Sequence, residues 1–214
     1  MEGLNLCLQA VTRPGDLIAI ESPTFYAGLQ ASERLGLKVI EIPSHPREGV
    51  SLTALEDALR HHPIKACLFM LNFANPTGSL VTDARKKELV SLLHRYQIPL
   101  IEDDVYAELY FGKQAPLCTK AEDRDGFVMH VSSFSKCLAP GYRLGWVAAG
   151  RYAGQIQRQK LSTSLATTVP VQIALADYLK HGAFENHLRQ LRRRLAEQEA
   201  GLVAAVERHF PEGT

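Results

Sequence analysis

The 214-residue sequence contains no apolar run long enough to span a bilayer, and no leader with a basic start and a small-residue cleavage site. A membrane span is therefore not expected, and a cytoplasmic setting is. Cysteine is sparse. Cys7, Cys67, Cys118 and Cys137 are scattered, and none forms a Cys-x-x-Cys pair, so neither a zinc site nor a disulfide framework is expected. Charge of one sign is lacking too: 24 basic residues face 23 acidic ones, for a net charge of +1. Such a balance leaves no electrostatic footprint for nucleic acid or an anionic membrane. Repeats and low-complexity tracts are also absent. What is present is a 46% hydrophobic composition, enough for one large core or two small ones.

Apolar strand-like runs alternate with amphipathic helical stretches along most of the chain. A helix covers Glu2 to Val11 and ends at Pro14-Gly15-Asp16. Strands are expected at 17–21, 38–42, 65–71, 98–102, 127–132 and 144–149, with a polar loop around 44–49. Helices are expected from Ser22-Pro23-Thr24 to about Leu35, and at about 53–61, 82–96, 151–161, 169–180 and 184–209. Pro211-Glu212-Gly213 stops the last of them. Thr53-Ala54-Leu55-Glu56 has capping-box spacing, and Thr82 reads as a cap. Alternation of this kind argues for an α/β fold, a three-layer arrangement with a mostly parallel sheet flanked by helices. Ligands of such sheets bind beyond the carboxyl ends of the strands.

The unusual polar residues fall at those ends. Ser132-Ser133-Phe134-Ser135-Lys136 follows an apolar strand, and Arg143 comes seven residues after the lysine. A deprotonated lysine amine forms imines with aldehydes, and hydroxyls with a guanidinium suit a phosphate. Asp103 and Tyr106 lie three apart at another strand exit. The carboxylate could pair with a protonated ring nitrogen, or the acids could simply cap the next helix. Asn75-Pro76-Thr77-Gly78 reads either as a turn or as a rigid loop presenting an amide. Phe25, after Pro23-Thr24, is either core or a ring that stacks on a planar ligand. The basic run Arg189 to Arg194 is balanced by Glu197 and Glu199 and reads as a solvated helix face. Arg34, Lys86 and Lys87 read as surface.

Taken together and in this order, Asn-Pro-Thr-Gly, Asp-x-x-Tyr, Ser-x-Ser-Lys and Arg-Leu-Gly resemble the fold-type I pyridoxal-phosphate aminotransferases, in their large domain. The stretches Glu21 to Tyr26, Ile101 to Tyr106 and Ser132 to Leu138 resemble the aminotransferase-like domain of MocR-type regulators, which belong to the GntR superfamily. They are also similar to the α-aminoadipate and kynurenine aminotransferases.

The resemblance implies pyridoxal 5'-phosphate as cofactor. It implies an internal aldimine at Lys136, Asp103 on the pyridinium nitrogen, and Asn75 and Tyr106 on the phenolic oxygen. Ser133, Ser135 and Arg143 would hold the phosphate. Phe25 would stack on the ring, with Tyr26 the second choice. Lys136, Tyr106 and Asp103 carry the catalytic roles. The resemblance also implies cis bonds before Pro23 and Pro76, an amino acid or 2-oxo acid ligand, and a homodimer. Residues 1–182 would be the N-terminally truncated cofactor-binding domain. Residues 183–214 would be a long helix leading to a small C-terminal domain that is missing.

Arg143 lies one residue closer to the lysine than in the aspartate aminotransferase pattern. The family's glycine-containing phosphate loop, its small domain and the regulators' winged helix-turn-helix are not in this sequence. The expectation is a fragment, inactive alone, of a GntR/MocR-type transcriptional regulator that would bind DNA only through an N-terminal domain. The alternative is a fragment of a stand-alone aminotransferase, with another reaction on the same fold as a third reading.

Overall fold

A computed structural model describes residues 1–211. Seven strands form one sheet in the order β3-β2-β1-β4-β5-β6-β7. They are β1 (Leu17–Ser22), β2 (Lys38–His45), β3 (Gly49–Val50), β4 (Ile64–Phe69), β5 (Leu100–Asp103), β6 (Val128–Ser133) and β7 (Gly145–Ala148). The helices are α1 (Glu2–Val11), α2 (Tyr26–Arg34), α3 (Leu52–His61), α4 (Asp83–Tyr96), α5 (Ala153–Ser164), α6 (Val169–Lys180) and α7 (Ala183–His209). From β2 through β6 all neighbours pair in parallel. The two edge strands, β3 and β7, are antiparallel to their neighbours.

The central strands are apolar on both faces, as a sheet covered by helices on both sides requires. Side chains alternate across a strand. Ala19, Cys67, Phe69, Leu100 and Val128 therefore pack with Leu55, Leu59, Leu89 and Leu93 of α3 and α4. Ile18, Ile20, Ala66, Leu68, Ile101 and Met129 face the other way, onto Leu4 and Leu8 of α1, Ala31 of α2 and Ile156 of α5. The result is the expected three-layer α/β arrangement.

The chain reverses its direction of travel across the sheet between β1 and β4, since β1 lies between β2 and β4. Such a reversal opens a crevice at the carboxyl ends of the strands. Both expected cis bonds are present, Ser22–Pro23 after β1 and Asn75–Pro76 after β4.

The structure corrects some details of the sequence reading. The polar stretch after residue 42 extends β2 to His45, and Gly49–Val50 returns as β3. Ser51, not Thr53, caps α3, its hydroxyl accepting from Ala54 N at 3.3 Å. Thr82 caps α4 as expected, accepting from Arg85 N. The stop at Pro211-Glu212-Gly213 lies in part outside the described residues.

The largest correction concerns Lys86. Expected on the surface, it is 1% exposed. It shares the inner face of α4 with Leu89 and Leu93, three and seven residues on. Its Nζ donates to Asn72 Oδ1 at 2.7 Å and to the Leu117 carbonyl at 2.7 Å, and lies 3.3 Å from Asp83 Oδ1. Arg34 and Lys87 are exposed, as expected. Removing a buried ammonium orphans its acceptors. Lys86→Ala is expected to cost about 3 kcal/mol in urea denaturation, against less than about 0.5 kcal/mol for Lys87→Ala next to it.

Candidate functional site

The carboxyl ends of β1, β4, β5 and β6 each carry part of the site. Phe25 follows β1 across the cis Ser22–Pro23 bond and makes an edge-to-face contact with Tyr26 at 4.9 Å. Phe25 is partly buried and Tyr26 is 65% exposed, so Phe25 is the better placed of the two rings. Asn75 follows β4 and carries the second cis bond. Among the described residues its carboxamide has no hydrogen-bond partner.

Asp103 is the last residue of β5, and Tyr106 sits just beyond it. Lys136 comes off β6, with its Nζ 5.5 Å from the centre of the Tyr106 ring. Lys136 is exposed, and Tyr106 is partly buried.

Arg143 reaches this end by a different route. Because β7 runs antiparallel to β6, its first residue, Gly145, pairs with Ser133 at the end of β6. The two backbones are so close that a Cβ on Gly145 would meet the Ser132 carbonyl at 2.5 Å. Arg143 adopts a left-handed conformation with φ of 49°. Its Nη1 donates to Ser135 Oγ at 3.3 Å and to the Pro140 carbonyl at 3.1 Å. Ser133 Oγ accepts from the Ser135 amide at 3.3 Å. Two hydroxyls and a guanidinium are thus gathered on one turn, a donor set that suits a phosphate group.

The acids at the strand ends are buried, and all but one are satisfied. Among the described residues, Asp103 Oδ1 is buried with no hydrogen-bond partner. Burial pushes the Asp103 carboxyl up to about 6. Asp104 adds to this, while the Met1 amine, the Val105 amide and His130 oppose it. Asp104, by contrast, is fully engaged. It accepts from Asn72 Nδ2 at 2.9 Å and pairs with His130 Nε2 at 2.9 Å, and its carbonyl accepts from Ser132 Oγ at 2.9 Å. Glu102 Oε1 accepts from the Thr119 amide at 2.6 Å and from the Thr119 hydroxyl. Burial works against charge on His130, yet the Asp104 bond and the nearby Glu102 and Asp103 hold its pKa above the usual value. Glu102, Cys118 and His130 bring potential ligand atoms within 4.8 Å of one another. The glutamate and the histidine of that group are already bonded to Thr119 and Asp104.

Glu21 was not singled out in the sequence. It is 2% exposed at the end of β1, and both its oxygens accept from the Met70 amide, at 2.9 and 3.0 Å. Burial drives its carboxyl up to about 8, with the nearby Asp103 adding to the shift. The available signal was a glutamate ending an otherwise apolar strand. Asn72 and His130 have no signal of that kind, because their partners come from distant segments.

The chain matches the family described as aminotransferase class I and II over residues 1–213. The chain belongs to that family. The HTH-type transcriptional regulator YdcR of Escherichia coli (strain K12) is 52% identical over 211 residues, covering 99% of this chain and 45% of the regulator. The multiple substrate aminotransferase of Thermococcus profundus superposes with a TM-score of 0.93 at 29% identity, covering 99% of this chain and 54% of that one. LysN, an α-aminoadipate aminotransferase of Thermus thermophilus, was solved in complex with N-(5'-phosphopyridoxyl)-L-leucine. It gives a TM-score of 0.93 at 28% identity, covering 99% of this chain and 55% of that one. This aminotransferase-like chain therefore spans about half the length of the relatives it matches.

Glu21 and Asp103 make a checkable statement about pH. Both carboxyls hold their protons more tightly folded than unfolded. Their contribution to stability is complete below the unfolded values near 4 and is lost as pH rises through about 6 for Asp103 and about 8 for Glu21. The unliganded protein is expected to lose stability across that range, by at most about 1.4 kcal/mol per pH unit for each proton. Glu21→Gln should flatten the upper part of the curve in denaturant titrations at pH 5 to 8.

Proposed function

We propose that this chain binds pyridoxal 5'-phosphate through Lys136, and that it is the aminotransferase-like part of a GntR/MocR-type transcriptional regulator. The observation that carries the cofactor reading is the buried Oδ1 of Asp103, left without a partner at the same end of the sheet as Lys136. A buried carboxylate is costly unless a cation meets it. The protonated ring nitrogen of pyridoxal phosphate is such a cation, so the residues present fit the group. The relative solved with a phosphopyridoxyl compound supports the reading.

When bound, the cofactor supplies an electron sink that stabilises negative charge on the carbon of an attached amino acid. The chain's own residues do the rest. Asp103 would pair with the ring nitrogen and keep it protonated. Asn75 and Tyr106 would donate to the ring oxygen, and the Tyr106 ring lies 5.5 Å from Lys136 Nζ. Lys136 would hold the aldehyde carbon, and its amine would be the group that carries a proton between the substrate carbon and the cofactor. Ser133, Ser135 and Arg143 would hold the phosphate, and Phe25 would stack on the ring.

The ligand class is an amino acid or a 2-oxo acid. Residues 1–182 form the cofactor-binding domain, and residues 183–214 are the connecting helical segment. The chain acts as a homodimer in the cytoplasm. In the regulator reading, DNA is bound by a separate N-terminal domain. The 52% identity to YdcR favours the regulator. The TM-scores of 0.93 to aminotransferases favour the second reading, part of an amino acid/2-oxo acid aminotransferase.

Titration with pyridoxal phosphate should give a visible absorption band that Lys136→Ala abolishes. Asp103→Asn should weaken binding by about tenfold or more, the loss expected when one member of a buried charge pair is removed. Bleaching of the band by amino acids would support the aminotransferase, and a shift without bleaching the regulator. No band with the intact wild-type protein would overturn the cofactor assignment.

A further inference from the structure

The basic run on α7 reads in the sequence as a solvated face, and for Arg193 it is one. That side chain is 77% exposed and pairs with Glu197, four residues on, its one partner among the described residues. Arg192 is different. Its Nε donates to the Glu108 carbonyl at 2.7 Å, its Nη2 lies 3.0 Å from Glu108 Oε2, and its guanidinium carbon stands 3.9 Å from the centre of the Tyr110 ring. Carbonyl, carboxylate and aromatic face are three partners that a planar guanidinium meets together and an ammonium does not. All three belong to the short segment that follows Tyr106, whose carbonyl accepts from the Leu109 amide at 2.9 Å.

One turn back along the same helix, His187 Nε2 donates to the carbonyl of Cys137, the residue after Lys136, at 2.9 Å. Phe184 packs edge-on against Phe134 at 5.8 Å, two residues before the lysine. Leu188, between these contacts, is 1% exposed. Positions 184, 188 and 192 recur every four residues and 187 lies beside them, so one helix face makes all the contacts. That face grips both segments whose side chains meet as Lys136 over the Tyr106 ring.

We propose that the first three turns of α7 are a splint across the site, in which Arg192 and His187 are positioning residues that hold the Tyr106 segment and the Lys136 turn at a fixed separation. The splint sets how the lysine and the phenol share the cofactor's proton. This role rests on the pyridoxal phosphate reading above. None of the α7 residues needs to touch the cofactor. They act through the backbone at residues 106–110 and 136–137.

The test compares the full chain with Arg192→Ala, Tyr110→Leu and Arg193→Ala. Tyr110→Leu removes the stacking partner without altering α7, and Arg193→Ala is the control on the same helix. Two quantities are read: amide hydrogen exchange at Leu109, and the pH midpoint of the visible band of bound pyridoxal phosphate. Arg192→Ala and Tyr110→Leu should each speed exchange at Leu109, displace the band's midpoint, and weaken retention of pyridoxal phosphate by up to about tenfold, equivalent to about 1.4 kcal/mol. Arg193→Ala should change none of these.

Unchanged exchange in both variants would overturn the splint. Faster exchange with an unmoved midpoint would show an ordinary structural contact and overturn the positioning role. A wild-type protein with no band would remove the cofactor reading and the positioning role with it. The exchange measurement would then still decide, separately, whether α7 holds the segment.

Discussion

A carboxylate oxygen kept out of water, with no protein donor bonded to it, is the constraint around which this end of the molecule is built. Four acids, Glu21, Glu102, Asp103 and Asp104, lie buried at the ends of β1 and β5, which flank β4. Burying like charges together is affordable only if each finds a donor or keeps a proton. Glu21 is given the Met70 amide, Glu102 is given Thr119, and Asp104 is given Asn72 and His130. Asn72 is in turn fixed by Lys86, which comes from a helix on the far side of the sheet. Among the described residues, Asp103 Oδ1 is the carboxylate oxygen of this group that finds no partner. The surrounding network leaves one carboxylate oxygen open while it occupies the neighbouring acids.

The same logic explains the two-sided construction of the site. Parallel strands deliver Phe25, Asn75, Asp103 and Lys136 to one end, because each strand exit points the same way. An arginine on a further parallel strand's exit would have to come from a more distant position in the sheet. The antiparallel β7 instead brings its beginning, with Arg143 just before it, next to the end of β6. The close approach at Gly145 lets the Arg143 guanidinium reach Ser135, so the anion-binding groups of the turn are assembled locally. The long α7 then spans the outside of the two segments that carry Tyr106 and Lys136. Strand ends carry the polar groups, and two helices, α4 through Lys86 and α7 through Arg192, hold the segments around them.

Much of this was legible before any coordinates. Alternating strand and helix signals gave the layers, and turn residues marked the strand exits where the polar side chains collect. The failures share a cause. Lys86 looked solvated because lysine usually is, although its spacing to Leu89 and Leu93 places it on the buried face of α4. Arg192 looked like one charge in a balanced basic run, yet it differs from Arg193 by facing the Tyr106 segment. Glu21 ended an apolar strand and could have been suspected, but nothing local indicates that Met70 would be its partner.

The sequence by itself determined the order of elements, the apolar faces that pack the sheet on both sides, and which residue types stand at each strand exit. Those properties depend on local spacing, which a single chain states directly. Tertiary structure alone decided which acids are neutralised and which one stays open, since the answer lies in partners 17 to 49 residues apart. It also decided that one arginine of a basic helix clamps the Tyr106 segment from 84 residues away, a pairing that only the folded sheet brings within hydrogen-bond distance.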